Sequence, residues 1–282
     1  MLILKRPPLK TNDVFKACIA GLVDAGIKRD MQEYAPRISS AEEKFEAAIA
    51  VHELHKLDTN DFAADPFNDP TYIVNNLYTC GLVGRRAGRE YYDKLMSISK
   101  LDRCPVCGFG VVKTLEHHLP KQKYPALCIT VGNLFPVCSD CNKEKRDTVP
   151  QSAVDQTFHP YYDTVDDDEW LHAELIEDSP AFLRFSVEPP ESWDHVTVAR
   201  VKRSFEVYKL SRRYSVQANR VISGLRGKVT RLVESVGPIG VRNDLSEMAL
   251  SHRSDMRNGY EGVTYSTLAN SDWFCSGGAY SP

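Results

Sequence analysis

The stretch that decides the fold opens at Cys104-Pro-Val-Cys107. It resumes at Thr114 as TLEHHLPKQKYPALCITVGNLFPVCSDCNKEK, ending at Lys145. Two C-x-x-C pairs bracket it, Cys104/Cys107 and Cys138/Cys141. A C-x-x-C turn lets two thiolates face one ion at about 2.3 Å, and two such turns complete a tetrahedron. With all four positions filled by protein, a zinc ion held there is structural. Two unrelated turns with reduced cysteines, or a redox dithiol, are the other readings; a second pair weighs against the dithiol. The gap between the pairs exceeds that of a plain zinc ribbon, so further structure is stored inside it. VVKTL and NLFPV are strand-length apolar runs. The polar stretch after Cys138 can begin a helix with Ser139 or Asp140 near its N-terminus.

Outward from this stretch the patterns are helical. Residues 11–35 and 40–58 read as helices, the second with Ser39 or Ser40 as N-cap and Phe45, Ala48, Ile49, His52 and Leu57 near one face. NDFAADPFNDPT (60–71) is a loop by its Asp, Asn and Pro content. Helix resumes over 71–98 with a break at GLVGRRAGRE. LHAELIE and FLRFSVE alternate like two short strands. Residues 195–236 read as one or two long helices, and another helix lies near 241–258; Gly237, Pro238 and Gly240 mark the turn between them. The tail SGGAYSP should fray. Three parts follow: helical 1–100, a cysteine-bracketed module 101–150, and 151–282 with two strands and long basic helices. The class is α+β. About 50 residues are too few to stand without a staple, so the module should pack into helices on both sides.

At 282 residues, 42% hydrophobic and 26% charged, the chain is an ordinary globular sequence, which excludes wholesale disorder and fibrous classes. Eight cysteines, four of them isolated, are not a disulfide framework. No signal peptide or membrane span is visible, so a cytoplasmic, reducing compartment without a membrane partner is expected. The net charge of −3 hides a polarised distribution. Residues 160–194 carry eleven acids against Arg184, and residues 200–231 carry ten bases against Glu206. A helix so biased, with Tyr208 and Tyr214 interleaved, can track a phosphate backbone through Arg212, Arg213 and Arg220. Docking against an acidic surface is the other reading.

Glu116-His117-x-x-Pro120, then Asn133-Leu134, then Cys138-x-x-Cys141-Asn142-x-x-Lys145 form an ordered series that resembles the HNH, or ββα-metal, endonucleases over about 50 residues. The resemblance implies a zinc-stapled ββα nuclease module. It makes His117 the general base, and Glu116 and Asn142 the ligands of a catalytic Mg²⁺ or Mn²⁺, where the family more often has Asp and His. Asn133 would pin the loop between the strands. A register in which His117 is the ligand and His118 the base stays open, although the spacing to Pro120 favours His117. Lys121, Lys123 and Lys145, with Lys143 and Arg146 nearby, could contact phosphates beside the cut. His159, in HPYYD after the module, could support the metal site, and the stretch also suits a packed turn.

The chemistry agrees with those residue types. Phosphodiester hydrolysis needs an activated water and neutralisation of charge on the leaving oxygen. Histidine titrates near neutrality, and oxygen ligands suit hard divalent ions. The longer pattern is similar to stand-alone HNH nucleases of bacterial anti-phage systems, such as the nuclease subunit of Septu-type or retron defence. That similarity implies an ABC-type ATPase partner. No Walker A motif occurs in this chain, so any ATP dependence would come from the partner. A catalytically silent zinc-binding subunit, contacting nucleic acid or a partner, is the alternative.

Overall fold

The computed structural model describes residues 1–280. They form two compact units: one holds Ile3–Asp163, the other Thr164 onward with Met1–Leu2. The architecture is mixed helix and sheet, with two small two-stranded sheets. The unit boundary leaves residues 101–150 in the same body as the N-terminal helices.

In the first unit, α1 (Thr11–Ala20) and α2 (Ala25–Ala50) are separated by a short turn. Asp24 caps α2, its carboxylate accepting the N–H groups of Gly26 and Ile27 at 2.8 and 3.0 Å. The expected break before Ser39 and Ser40 does not occur, and neither serine is a cap: α2 runs through Pro36 and both serines. An interior proline costs about 3 kcal/mol. Met31, Tyr34, Ile38, Ala41, Phe45 and Ile49 recur three or four residues apart and are all buried. That continuous stripe outweighs the lost hydrogen bond. The helix ends at Ala50, short of the expected 58, and His52 takes a left-handed φ of 60°.

α3 (Pro70–Val74) passes directly into a π-helical segment, Asn75–Gly84, before α4 (Arg86–Met96). Arg85 fills the junction. Its Nη1 donates to the carbonyls of Asn76 (2.9 Å) and Cys18 (3.1 Å), satisfying oxygens that the wider helix and the end of α1 leave open. Gly81 and Gly88 let the two turns touch, because a Cβ on Gly88 would lie 2.2 Å from the Gly81 carbonyl oxygen.

β1 (Thr114–His117) and β2 (Leu134–Val137) pair antiparallel, Glu116 opposite Phe135 and His117 opposite Leu134, and α5 (Ser139–Lys145) follows. β2 and α5 lie where NLFPV and the post-Cys138 stretch predict, whereas β1 begins only at Thr114, late in the VVKTL run, because Val111 instead bridges Arg103. Leu115, Leu119, Tyr124, Leu127 and Leu134 join one core with Val14, Tyr34, Phe45 and Leu77. The N-terminal helices thus cover the module's apolar side. Residues up to Asp163 complete this unit, with the Tyr161 hydroxyl donating to the Leu134 carbonyl (2.8 Å).

In the second unit, β3 (Leu171–Ile176) and β4 (Phe182–Val187) form a hairpin, as the alternation predicts. α6 (His195–Val207) and the long α7 (Leu210–Asp255) follow, then α8 (Tyr260–Ala269) and the short α9 (Asp272–Cys275). Ser211 and Ser215 of α7 donate to the carbonyls of Phe185 (2.7 Å) and Leu183 (2.6 Å), so the edge of β4 is covered. Gly237, at φ 70° and ψ −178°, folds α7 back where the glycines and Pro238 predict. Lys228 then reaches Asp244 at 2.7 Å. The predicted fraying does not extend through Tyr280, whose hydroxyl bonds the Ile222 carbonyl at 2.5 Å; Ser281 and Pro282 lie outside the described residues. Among the described residues no helix is long and apolar enough to cross a membrane.

Gly88→Ala should lower the urea midpoint of unfolding by an amount equivalent to about 1–3 kcal/mol, because backbone must move. Gly224→Ala, where an added Cβ meets nothing within 4 Å, should raise it by about 0.5–1 kcal/mol. Equal midpoints for the two variants would contradict the packing described.

Candidate metal centre and polar cavity

The two C-x-x-C turns converge. All four sulfurs of Cys104, Cys107, Cys138 and Cys141 lie within 4.8 Å of one another, and all four residues are buried. Cys107 Sγ and Cys138 Sγ are 3.8 Å apart. Zinc–sulfur bonds of about 2.3 Å in a tetrahedron set sulfurs about 3.8 Å apart, whereas a disulfide needs about 2.05 Å. The first knuckle is shaped by its backbone: Gly108 takes φ 77°, and the Cys104 N–H donates to the Gly110 carbonyl at 2.7 Å. The Gly110 N–H points at Cys107 Sγ (3.3 Å), and the Cys141 N–H at Cys138 Sγ (3.5 Å). Such N–H groups stabilise thiolates. Four buried thiolates repel one another unless a cation lies among them, so donor type, spacing and burial fit a structural zinc ion.

About one helical turn beyond the second knuckle, the polar residues of the module gather around a cavity of about 220 Å³. Glu116, His117, Asn142, Lys121, Arg146 and Tyr78 line it. Glu116 is 4% exposed and Lys145 3%. Lys145 Nζ donates to Glu116 Oε1 and to the His117 carbonyl, both at 2.9 Å, and Asn142 Nδ2 donates to Glu116 Oε2 at 2.5 Å. Burial raises the Glu116 carboxyl above its ordinary value, with Lys145 opposing that shift. Lys145 is therefore spent inside the module, and its ammonium is not presented to a nucleic-acid backbone as the sequence reading expected. Lys123 is exposed, and Lys121 lies over the Tyr78 ring at 5.3 Å.

Adjacent strand residues point to opposite faces, but His117 is the last residue of β1, so it and Glu116 both line the cavity. The His117 Nε2–H donates to the Cys128 carbonyl at 2.9 Å, and its ring meets Tyr78 edge-on at 4.5 Å. A carbonyl can only accept, so Nε2 carries the proton and the neutral ring keeps its lone pair on Nδ1. Burial, aided by the charge of Lys121, pushes the imidazole down to about 3. Asn133 accepts the Leu119 N–H at 2.7 Å and donates to the carbonyls of Leu119 (3.0 Å) and Leu127 (3.2 Å). It thus closes the loop between the strands on itself. His118 faces away from the cavity lining and packs against His159 (4.7 Å between rings) and Phe135, beside Tyr161 and Tyr162. His159 accordingly belongs to an aromatic cluster behind β2, and its main-chain N–H donates to Asp163 at 2.7 Å.

Tyr78, Thr114, Leu115 and Asp147 line the cavity without having been singled out from the sequence as site residues, whereas Arg146 was among the bases expected near the cut. Tyr78 comes from the π-helical segment; a Gly-rich, Arg-flanked interruption of a helical pattern was its only signal. Arg146 follows α5 at φ 55° and ψ −151°, a region nearly confined to glycine and costing about 1–3 kcal/mol.

Arg212 and Arg220 are exposed on α7 and Arg213 is half-buried. Arg200 of the same basic run is 1% exposed, and Lys228 is paired with Asp244, so the run is not one uniform face.

Purified protein should contain about one zinc per chain by elemental analysis. Cys141→Ser should lose it together with the near-ultraviolet signal of the first unit. Zinc-free wild type with unchanged folding would refute the metal centre.

No family model matches the chain, and no solved structure matches it. Over 300 residues the chain is 24% identical to Protein ea31 of Escherichia phage lambda, across 97% of this chain and the whole of that protein.

Proposed function

We propose that this protein is an HNH-type, metal-dependent endonuclease that hydrolyses phosphodiester bonds of DNA or RNA. One observation carries the reading: Glu116, His117 and Asn142, brought from a strand end and a helix, line one polar cavity, and the Cys128 carbonyl holds His117 in the tautomer that leaves Nδ1 unprotonated. The antiparallel β1–β2 pair followed by α5 and the flanking sulfur cluster support an HNH module.

In this reading His117 Nδ1 accepts a proton from water, and the water oxygen bonds to phosphorus as the P–O3′ bond breaks. The 3′ oxygen takes up a proton from solvent, giving 5′-phosphate and 3′-hydroxyl ends. The Cys128 carbonyl holds the ring and stabilises the imidazolium that forms. Glu116 and Asn142 would hold Mg²⁺ or Mn²⁺, which when bound neutralises charge on the scissile phosphate and leaving oxygen. Lys145 orients the Glu116 carboxylate and ties it to the end of β1. Asn133 acts through the loop it closes, as a positioning residue. Lys121 and Lys123 contribute positive charge near the cavity. The resemblance to nucleases of anti-phage systems further supports a defence effector working beside an ABC-type ATPase.

The second reading is a silent zinc-stapled subunit that binds nucleic acid or a partner. It is favoured by the Lys145 ammonium bonded to Glu116 Oε1, a resident cation on the carboxylate that would serve a metal. Cleavage of plasmid DNA and of tRNA with Mg²⁺ or Mn²⁺ separates the two. His117→Ala should cut at least about 10²-fold more slowly with zinc and folding intact, while His118→Ala stays active. An active His117→Ala with a dead, folded His118→Ala would move the base to His118. Wild type that cuts neither substrate would leave the silent reading.

α7 supplies a second contact in this scheme. Changing Arg212, Arg213 and Arg220 to Glu should weaken nucleic-acid binding and flatten its dependence on salt. An unaltered salt slope would remove α7 from the substrate surface.

A further inference from the structure

We infer that Tyr78 is a positioning residue for the general base: its ring fixes the plane of the His117 imidazole, and with it the direction of the Nδ1 lone pair. The inference rests on the nuclease reading above and adds to it a residue from outside the cysteine-bracketed module.

The side-chain hydrogen bond of His117 leaves one motion open. Its Nε2–H bonds the Cys128 carbonyl at 2.9 Å. Nε2 lies near the axis through Cβ and Cγ, whereas Nδ1 lies well off it. Turning about χ2, a broad torsion in histidine, therefore swings Nδ1 widely while Nε2 moves little. A base held only at Nε2 would aim its lone pair over a range of directions.

Tyr78 supplies the second restraint. Its ring stands edge-on to the imidazole, with centroids 4.5 Å apart and planes 68° apart. Two rings prefer that arrangement, and a turn of the imidazole would break it. The Tyr78 ring is itself held firmly, being 9% exposed and part of the core that includes Leu77, Leu82 and Cys128. Its backbone belongs to the π-helical segment Asn75–Gly84, which Arg85 ties to the carbonyls of Asn76 and Cys18. A π-turn widens a helix and re-aims its side chains, and such turns gather at functional sites. Here the segment brings Tyr78 to the wall of the cavity that Glu116, His117 and Asn142 also line. Lys121 Nζ lies 5.3 Å from the centre of the same ring, within reach of its electron-rich face. A residue that only filled the core would meet apolar neighbours, whereas Tyr78 meets an imidazole and an ammonium at the cavity.

The test compares wild type with Tyr78→Phe, Tyr78→Leu, Tyr78→Met and His117→Ala, using the full chain. Leu and Met both keep an apolar filling without a planar face, so one folded variant of the two suffices. Two readouts are taken: cleavage kinetics, and the ring-nitrogen NMR shifts of His117 without substrate. Wild type and Tyr78→Phe should show one fixed tautomer, protonated at Nε2, and Phe should keep the rate within about threefold. Tyr78→Leu or Tyr78→Met should draw the two nitrogen shifts together as the ring turns. The same variants should lower kcat about 10- to 100-fold with KM within about twofold and zinc retained. If they keep the fixed tautomer, or cleave within about twofold of wild type while His117→Ala is inactive, Tyr78 does not position the base and the nuclease reading stands. If their loss of rate instead follows lost zinc or a lowered melting temperature with unchanged nitrogen shifts, Tyr78 is a core residue and the inference falls. If wild type does not cleave, or His117→Ala cleaves as well as wild type, the nuclease reading fails and takes this inference with it.

Discussion

Four sulfur atoms within 4.8 Å of one another are the constraint on which the first unit depends. They tie the chain just before β1 to the chain just after β2. The two strands and the loop between them are therefore closed at both ends, and α5 starts from a fixed point. A ββα segment of this size buries too little apolar surface to hold itself, so its ends need a staple. Its apolar side is then completed by α1, α2 and the turns around α3, through Leu119, Tyr124 and Leu127.

Within that closed frame the module buries an unusual amount of polarity. Glu116, His117, Asn133 and Lys145 are all buried, and each is met by hydrogen bonds. Burying a carboxylate and an ammonium together is rarely a net gain over apolar residues of the same size. Removing one partner is costly, so the pair fixes a geometry more than it adds stability. The same holds for the Asn133 amide, which replaces missing backbone partners in the loop. Several buried polar groups thus gather around one cavity, with Arg146 at a positive φ beside them.

Much of the fold was legible because its signals are local. The cysteine spacing, the NLFPV run and the turn at Gly237-Pro238 each act within a few residues, and each lies where it was expected. The α2 boundaries were misread because Ser39 and Ser40 are strong local N-cap signals, while the stripe from Met31 to Ile49 gains its weight only from what packs against it. The π-helical segment was read as ordinary helix for a related reason. Its stability rests on Arg85 reaching the carbonyls of Asn76 and Cys18, the latter 67 residues away in sequence.

The candidate site divides in the same way. The sequence by itself determined which atoms are available: four thiolates at knuckle spacing, a carboxylate beside an imidazole, and an amide after the second knuckle. Residue type and spacing carry that information, since chemistry belongs to the side chain. Only the tertiary structure decided which cation meets Glu116, which nitrogen of His117 is free, and which positive charges face the cavity. Lys145 and Arg146 are adjacent bases in the sequence, yet the end of α5 turns one into the core and the other toward the cavity. A helix terminus rotates successive side chains to different faces, and burial then assigns each its role.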